Sequence, residues 1–421
     1  MGLVGVDEVE AARAALSGVL RPTGLDAPGF LARATGRPVL LKHEERQRSG
    51  SFKLRGAYWR MAGLDPTARA AGVVAASAGN HGQGVAVSAS RLGIAATVFM
   101  PAAAPLPKVQ ATRRYGATVH LVEGPLADVL AAARDHAGAT GATLIEPFDD
   151  PAVIAGQGTV GLEIVDGVDA VDTSEGGDVA TRPDPGDEVT VAVPVGGGGL
   201  VSGIAVAVRA LRPGWRVIGV EAAGAASARA ALDAGAPVAL PSTETMADGI
   251  AVARVGDITY RHLVDLVDDV VTVSDDEIAR ALLLLLERCK TVVEPAGAAA
   301  LAAVMEGRVG GTPTGPVCVV LSGGNVDPAL LGRLVTHGLN ASGRFLTTRV
   351  ALPDRPGALR SLLDVVAALG LNIVDVEHHR SGTDLPVEQV EVRLTLETRD
   401  PDHRDAVLRR LEAAGMHPRP A

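Results

Sequence analysis

Aromatic residues are scarce, with 5 Phe, 3 Tyr and 2 Trp among 421 residues. A surface of stacked rings, the usual platform for single-stranded nucleic acid, is excluded on that count. Positive charge is also in deficit: 39 Lys and Arg stand against 49 Asp and Glu, for a net charge of −10. That is the wrong sign for a protein that coats phosphate backbones, so no nucleic-acid partner is expected. Much of the acid excess is local. Residues 166–188 hold eight acids and one base, Arg182, which leaves the rest of the chain near neutrality.

Cysteine is nearly absent. Cys289 and Cys318 stand far apart with no spaced His or Cys partners, which excludes a disulfide framework and a zinc site and leaves buried structural thiols. No apolar run suits a bilayer either. The longest uncharged stretch, residues 189–208, contains Pro194 and four consecutive glycines, a pattern of strand, loop and helix rather than of a membrane span. Residues 1–15 carry Asp7, Glu8, Glu10 and Arg13 and no apolar core segment. No signal peptide and no membrane are expected, and the expected location is cytoplasmic.

What the chain has is apolar substance, 47% of its residues, enough for two or three domains with a large core. From residue 35 to 330, short β-branched runs alternate with longer Ala- and Leu-rich segments. Strands are expected at 38–42, 72–76, 96–100, 118–122, 190–195, 216–221 and 316–321, with helices at 82–92, 105–115, 126–137, 200–211 and 275–289. This alternation reads as α/β with a mostly parallel sheet covered on both faces. Its length suggests two open α/β lobes, the smaller (about 55–150) inserted in the larger. The Asp-, Gly- and Pro-rich residues 166–188 read as a solvated, mobile insertion.

A different unit follows the linker Ala341-Ser342-Gly343. Residues 344–421 parse as strand, helix, strand, strand, helix and a short Pro-rich tail, the βαββαβ order of a ferredoxin-like domain. Its first strand runs into Asp354-Arg355-Pro356-Gly357-Ala358-Leu359. This resembles an ACT regulatory domain. A last strand near 417–421 would be short and interrupted by proline.

Three glycine-rich segments follow expected strands, where ligands bind in open α/β sheets. Ser77-Ala78-Gly79-Asn80-His81-Gly82-Gln83-Gly84 opens a helix whose first amides can stabilise a carboxylate. Gly196-Gly197-Gly198-Gly199-Leu200 can wrap an anion at the positive end of a helix dipole. It lacks the G-K-[ST] ending of a nucleotide loop and the spaced glycines of a dinucleotide fold. Ser322-Gly323-Gly324-Asn325 is the third segment, and Lys53 lies apart in Ser51-Phe52-Lys53-Leu54-Arg55-Gly56-Ala57. An isolated lysine is usually a surface residue. Beside an anion cup it can instead condense with an aldehyde.

Together with Glu294-Pro295-Ala296-Gly297-Ala298, and in this order, these motifs resemble the fold-type II pyridoxal-phosphate enzymes over residues 20–340. Within them the match is to the threonine dehydratases (threonine ammonia-lyases). The resemblance implies pyridoxal 5′-phosphate joined covalently to Lys53, which also serves as the proton-transfer base. It implies Phe52 beside the cofactor, Asn80 at its 3′-oxygen, Gly196, Gly197, Gly198, Gly199 and Leu200 at its phosphate, and Ser322 at its pyridine nitrogen. The amides of Ser77, Ala78, Gly79, Asn80 and His81 would hold the carboxylate of an amino-acid substrate. The implied reaction is β-elimination of L-threonine to 2-oxobutanoate and ammonia, with L-serine going to pyruvate. A catalytic domain at 1–340 and a regulatory domain at 344–421 follow. The tail implies a branched-chain amino acid as effector near Asp354, Pro356, Gly357 and Asn372, in a homodimer or homotetramer.

The residues also bear on chemistry directly. Ser322 is neutral and does not hold a ring nitrogen protonated as a carboxylate would. A weaker electron sink favours prompt loss of a β-substituent. Related serine racemases carry a serine where this chain has Ala78, which disfavours racemisation. The family's cation site resembles Glu221 with an oxygen near Ala225 and an acid two residues on, but Ser227 stands there, so no metal is expected. Glu294 is open to two readings, family site residue or solvated helix-start acid. The charged segment His43, Glu44, Glu45, Arg46 is expected to be mostly solvated. Threonine synthase, a β-replacing synthase, serine racemase and a non-catalytic amino-acid sensor remain as alternatives.

Overall fold

β-branched runs such as Val-Cys-Val-Val-Leu have one preferred use, as strands buried on both faces. In the computed structural model, which describes residues 2–168, 188–311, 315–380 and 386–420, they lie innermost. The strands in chain order are β1 (Leu25–Asp26), β2 (Val39–His43), β3 (Val73–Ala76), β4 (Ala96–Pro101), β5 (Thr118–Val122), β6 (Thr143–Leu144) and β7 (Thr190–Pro194). They continue as β8 (Arg216–Ala222), β9 (Asp269–Val273), β10 (Val317–Leu321), β11 (Phe345–Pro353), β12 (Ile373–His379), β13 (Gln389–Glu397) and β14 (Pro418–Pro420). The chain divides into two compact units, Met1–Leu331 and Gly332–Ala421.

The first unit holds two sheets. One has six strands in the order β1-β2-β10-β7-β8-β9, parallel except for β1, and β2, β7 and β10 are buried throughout. The other, β5-β4-β3-β6, is wholly parallel and falls in sequence between β2 and β7, an insertion in the larger fold. This is the expected pair of α/β lobes. The acidic insertion expected at 166–188 lies almost entirely outside the described residues.

The helix Pro151–Val168, which precedes the acidic insertion, forms although Gly156, Gly158 and Gly161 lower its intrinsic propensity. Tertiary contact explains them. A Cβ on Gly156 would sit 2.6 Å from the Gly56 Cα, one on Gly158 2.8 Å from the Gly203 carbonyl oxygen, and one on Gly161 2.9 Å from the Ala207 Cβ. Three helices thus touch backbone to backbone: Lys53–Ala62, Pro151–Val168 and Gly199–Leu211. The helix that begins at Lys53 and the one that begins at the glycine run are clamped to a common third.

One expectation is overturned. His43 and Glu44 are buried and the Glu45 side chain is 3% exposed, which leaves only Arg46 substantially solvated. Glu44 belongs to an internal ion cluster. Arg55 donates to both Glu44 oxygens at 2.7 and 2.8 Å and to both Glu163 oxygens at 2.6 and 2.8 Å, and Lys42 donates to Glu163 at 2.5 Å. Two cations and two anions cancel, and the forked geometry fills the guanidinium's donors, so the charges tolerate burial.

The second unit is an antiparallel sheet, β12-β13-β11-β14, with the helices Ala358–Ala368 and Pro401–Ala413. Alternate residues of β11 and β13 (Leu346, Val350, Leu352, Val390, Val392, Leu394, Leu396) meet Leu362, Val366, Val407 and Leu411 in its core. The proline-bearing last strand does form. It is an edge strand on β11, where a missing N–H is tolerated.

Candidate active site

Ser77 follows β3, Gly196 follows β7 and Ser322 follows β10, so all three glycine-rich segments stand at carboxyl ends of parallel strands. Lys53 reaches the same place. Its Nζ donates to the Pro147 carbonyl at 2.8 Å and lies 5.1 Å from the centre of the Phe52 ring. Burial of the ammonium pulls its pKa down to about 8, against the opposing pull of the Glu294 carboxylate. Gly84 allows this approach, since a Cβ there would lie 3.2 Å from the Lys53 Cβ.

In the glycine run, Gly198 has a φ of +93°, and a Cβ on Gly197 would overlap the Phe148 ring. The Gly197 carbonyl accepts from Thr259 Oγ1 at 2.7 Å. Asp149 accepts the first amides of the helix Asp257–Leu266, from Asp257, Ile258 and Thr259 at 2.8–3.1 Å, and thereby holds that threonine in place. The amides of Gly196, Gly197 and Gly198 have no acceptor among the described residues. A rigid cup of free donors results.

At the Ser77 segment the donors are fewer than expected. The Ser77 amide is used by the Phe99 carbonyl at 2.9 Å, and that of Gly79 by Ser77 Oγ at 3.1 Å. The amides of Ala78, Asn80 and His81 and the Ser77 hydroxyl proton are left for a carboxylate. His81 hydrogen-bonds through Nε2 to the Ile145 carbonyl at 2.7 Å, and burial, with the Lys53 charge adding to it, lowers its pKa to about 3. The ring is therefore neutral, with its proton on Nε2.

Glu294 is 4% exposed, makes no cap with its side chain and accepts from Asn80 Nδ2 at 2.5 Å. The solvated capping reading is thereby overturned. Burial, reinforced by Asp248, raises its pKa to about 7 despite the Asn80 hydrogen bond. Asn325 donates to Asn80 Oδ1 at 2.8 Å and to the Ser49 carbonyl at 2.7 Å. Ser322 is 4% exposed, and its carbonyl accepts from the Phe52 amide at 3.2 Å. Glu294 and Asn325 were legible in sequence only as members of motifs; their side-chain partners were not.

Other predicted positions lie elsewhere. Glu221 is buried and spends both oxygens on the amides of Ala228 and Arg229, at 2.7 and 2.8 Å, at the start of the helix Ser227–Ala234. A carboxylate turned toward helix amides is not poised for a cation. In the second unit Asp354, Pro356 and Gly357 form the turn after β11, whereas Asn372 precedes β12 and donates to Glu397 at 2.9 Å. β11 and β12 both run antiparallel to β13. Within one copy the two groups thus stand at opposite ends of the sheet, about 30 Å apart at the usual rise per residue. Cys318 is buried and Cys289 half-buried; burial pushes their thiols up to about 12 and about 11.

A family model for pyridoxal-phosphate dependent enzymes matches residues 16–323, and one for the ACT domain matches 347–415. The L-threonine ammonia-lyase of Thermotoga maritima is 42% identical over 419 residues, 99% of each chain. Among solved structures, a threonine deaminase from Solanum lycopersicum superposes with a TM-score of 0.71 at 33% identity, covering 80% of this chain and 95% of that one. A maize serine racemase superposes with a TM-score of 0.72 at 32% identity, covering 80% and 99%.

A phosphorylated aldehyde suits these residues on three observations. The unpaired amides of the glycine run answer a phosphate. The lowered Lys53 pKa supplies a free amine near neutral pH. Ser51, next to Phe52 and paired with Gly323, keeps a buried hydroxyl without a partner among the described residues, as expected where a polar ligand completes a site.

Proposed function

The chain belongs to the pyridoxal-phosphate-dependent enzymes, among the L-threonine ammonia-lyases that carry a C-terminal ACT domain, and on that premise we propose that Lys53 both binds the cofactor and moves the substrate's α-proton. The observation that carries this reading is the placement of Lys53, whose Nζ donates to the Pro147 carbonyl beside the Phe148 that packs on the glycine run and whose backbone lies against Gly84 of the Ser77 segment, with burial lowering its amine to about 8.

Bound there, pyridoxal phosphate supplies an electron sink for negative charge at the substrate α-carbon. The free amides of Gly196, Gly197 and Gly198 would hold its phosphate, Asn80 would meet its 3′-oxygen, and Ser322 would meet its ring nitrogen without imposing a proton. The amides of Ala78, Asn80 and His81 and the Ser77 hydroxyl bind the amino acid's carboxylate. This leaves the α-hydrogen facing Lys53. Neutral Lys53 takes that proton and returns it to the departing β-hydroxyl, so threonine loses one water in total. The enamine released takes up water and gives 2-oxobutanoate and ammonia; serine gives pyruvate by the same route. Ala78 offers no hydroxyl to return a proton from the other face, which argues against racemisation.

Catalysis is assigned to residues 1–340 and regulation to 344–421. The effector is a branched-chain amino acid held at Asp354, Pro356 and Gly357 of one copy and Asn372 of a second. The separation of these groups within one copy supports a dimer or larger assembly. No helix among the described residues is long and apolar enough to cross a membrane. Borohydride reduction followed by peptide mapping tests the covalent assignment: the label belongs on Lys53, and Lys53→Ala abolishes threonine turnover. Threonine kinetics with isoleucine or valine, on the whole chain and on a chain lacking 344–421, test the regulatory one. An unchanged effector response in the shortened chain would overturn it.

A further inference from the structure

We infer that Asn325 is a positioning residue whose amide decides which end of the Asn80 side chain faces the cofactor, so that Asn80 presents its N–H and not its oxygen. This deepens the reading that Asn80 meets the cofactor's 3′-oxygen and rests on it.

A primary amide has a donor end and an acceptor end, of nearly equal size, and only its neighbours choose between them. Around Asn80 both neighbours vote the same way. Asn325 Nδ2 donates to Asn80 Oδ1 at 2.8 Å, and the Glu294 carboxylate accepts from Asn80 Nδ2 at 2.5 Å. The second Nδ2 proton remains for the cofactor oxygen. Asn325 cannot itself turn over, because its Nδ2 also donates to the Ser49 carbonyl at 2.7 Å, which can only accept. The backbone around this relay is built to its dimensions. Gly50 has a φ of +74°, and a Cβ there would overlap the Asn325 amide; a Cβ on Gly323 would overlap Glu294 Oε1. Gly50 and Gly323 are thus accounted for by the space the Asn325–Asn80–Glu294 chain requires.

A donor at the 3′-oxygen favours its deprotonated form. The orientation of Asn80 therefore shows in the absorption band of the holoenzyme, independently of turnover. Asn325→Asp places an acceptor against Asn80 Oδ1 and keeps the shape, which opposes the Glu294 hydrogen bond and favours the turned amide, with its oxygen against the cofactor oxygen. Asn325→Ala removes the same tie to Ser49 but leaves Glu294 to keep Asn80 in place. A merely structural Asn325 would make the two variants alike. The orientation role makes Asn325→Asp the worse: pyridoxal-phosphate affinity about tenfold weaker, the size of one lost hydrogen bond to a charged group, and the band moved toward the protonated species. Asn325→Ala stays within about threefold of the parent. Equal effects of the two variants would overturn the inference. Asn80→Ala serves as control: an unmoved band there would overturn the Asn80 reading itself, whereas a moved band with a silent Asn325→Asp would overturn only the role of Asn325.

Discussion

Glu44 and Arg55 face each other through two hydrogen bonds, at 2.7 and 2.8 Å, with neither side chain exposed. Arg55 lies two residues beyond Lys53 along its helix, and the pair ties that helix to the segment after β2 that carries Glu44. The Arg55 charge and the neighbouring Lys42 hold the Glu44 carboxyl down at about 2, in spite of burial.

Glu44→Gln should therefore leave Arg55 and Lys42 sharing Glu163 alone. A loss of about 3–5 kcal/mol is expected, the usual result of removing one partner from a buried ion pair. Urea melts of the two proteins at pH 7 measure it; a loss below about 1 kcal/mol would mean the cluster is dispensable.

Lys53 in the cofactor-free protein should react as an amine well below the ordinary lysine value of 10.5, since burial lowers it to about 8. Only the unprotonated amine attacks an aldehyde. The rate of pyridoxal-phosphate capture should rise tenfold per pH unit below about 8 and level off above it. Stopped-flow absorbance across pH 6–10 checks this, and a rate still climbing at pH 10 would contradict the lowered value.

Glu294 should make the cofactor-free protein lose stability as pH rises. Its folded pKa, about 7, lies above the ordinary 4.5, so the folded form holds the extra proton between those values. Stability from this group is full below pH 4.5 and declines as pH climbs toward 7, by on the order of 3 kcal/mol. Glu294→Gln should flatten that slope in denaturant melts at pH 4.5, 6 and 7.5. Glu221, also raised to about 7 by burial, adds a slope of the same sign that the variant leaves in place.

Gly197→Ala should weaken cofactor binding by at least about tenfold, because the new methyl must displace the Phe148 ring and with it the cup, an overpacking cost of about 1–3 kcal/mol. Phe148→Ala in the same background should recover part of the affinity, as read by titration with pyridoxal phosphate.

Most of the fold was legible because local pattern and tertiary outcome agree. β10 and β7 are apolar runs buried on both faces, and the turn before the helix Ala358–Ala368 carries its glycine at φ +90°. What was not legible in the helix Pro151–Val168 is the role of its glycines, which weaken a helix in isolation and become contact residues only when two other helices press on them. The buried charges failed for the same reason. A segment reading His-Glu-Glu-Arg looks solvated until Arg55, from a distant position, supplies opposite charge to Glu44 and Glu163 balances Arg55 in turn.

The order of the motifs by itself determined the family and pointed to the lysine and the anion cup proposed above, because glycine runs after strands and a helix start are local features whose chemistry travels with them. Tertiary structure alone decided which polar side chains meet. Asn80 and Asn325 follow β3 and β10, whereas Glu294 lies between the helices Asp275–Leu284 and Pro295–Met305, and the direction of each hydrogen bond among them depends on distances no spacing in the chain encodes.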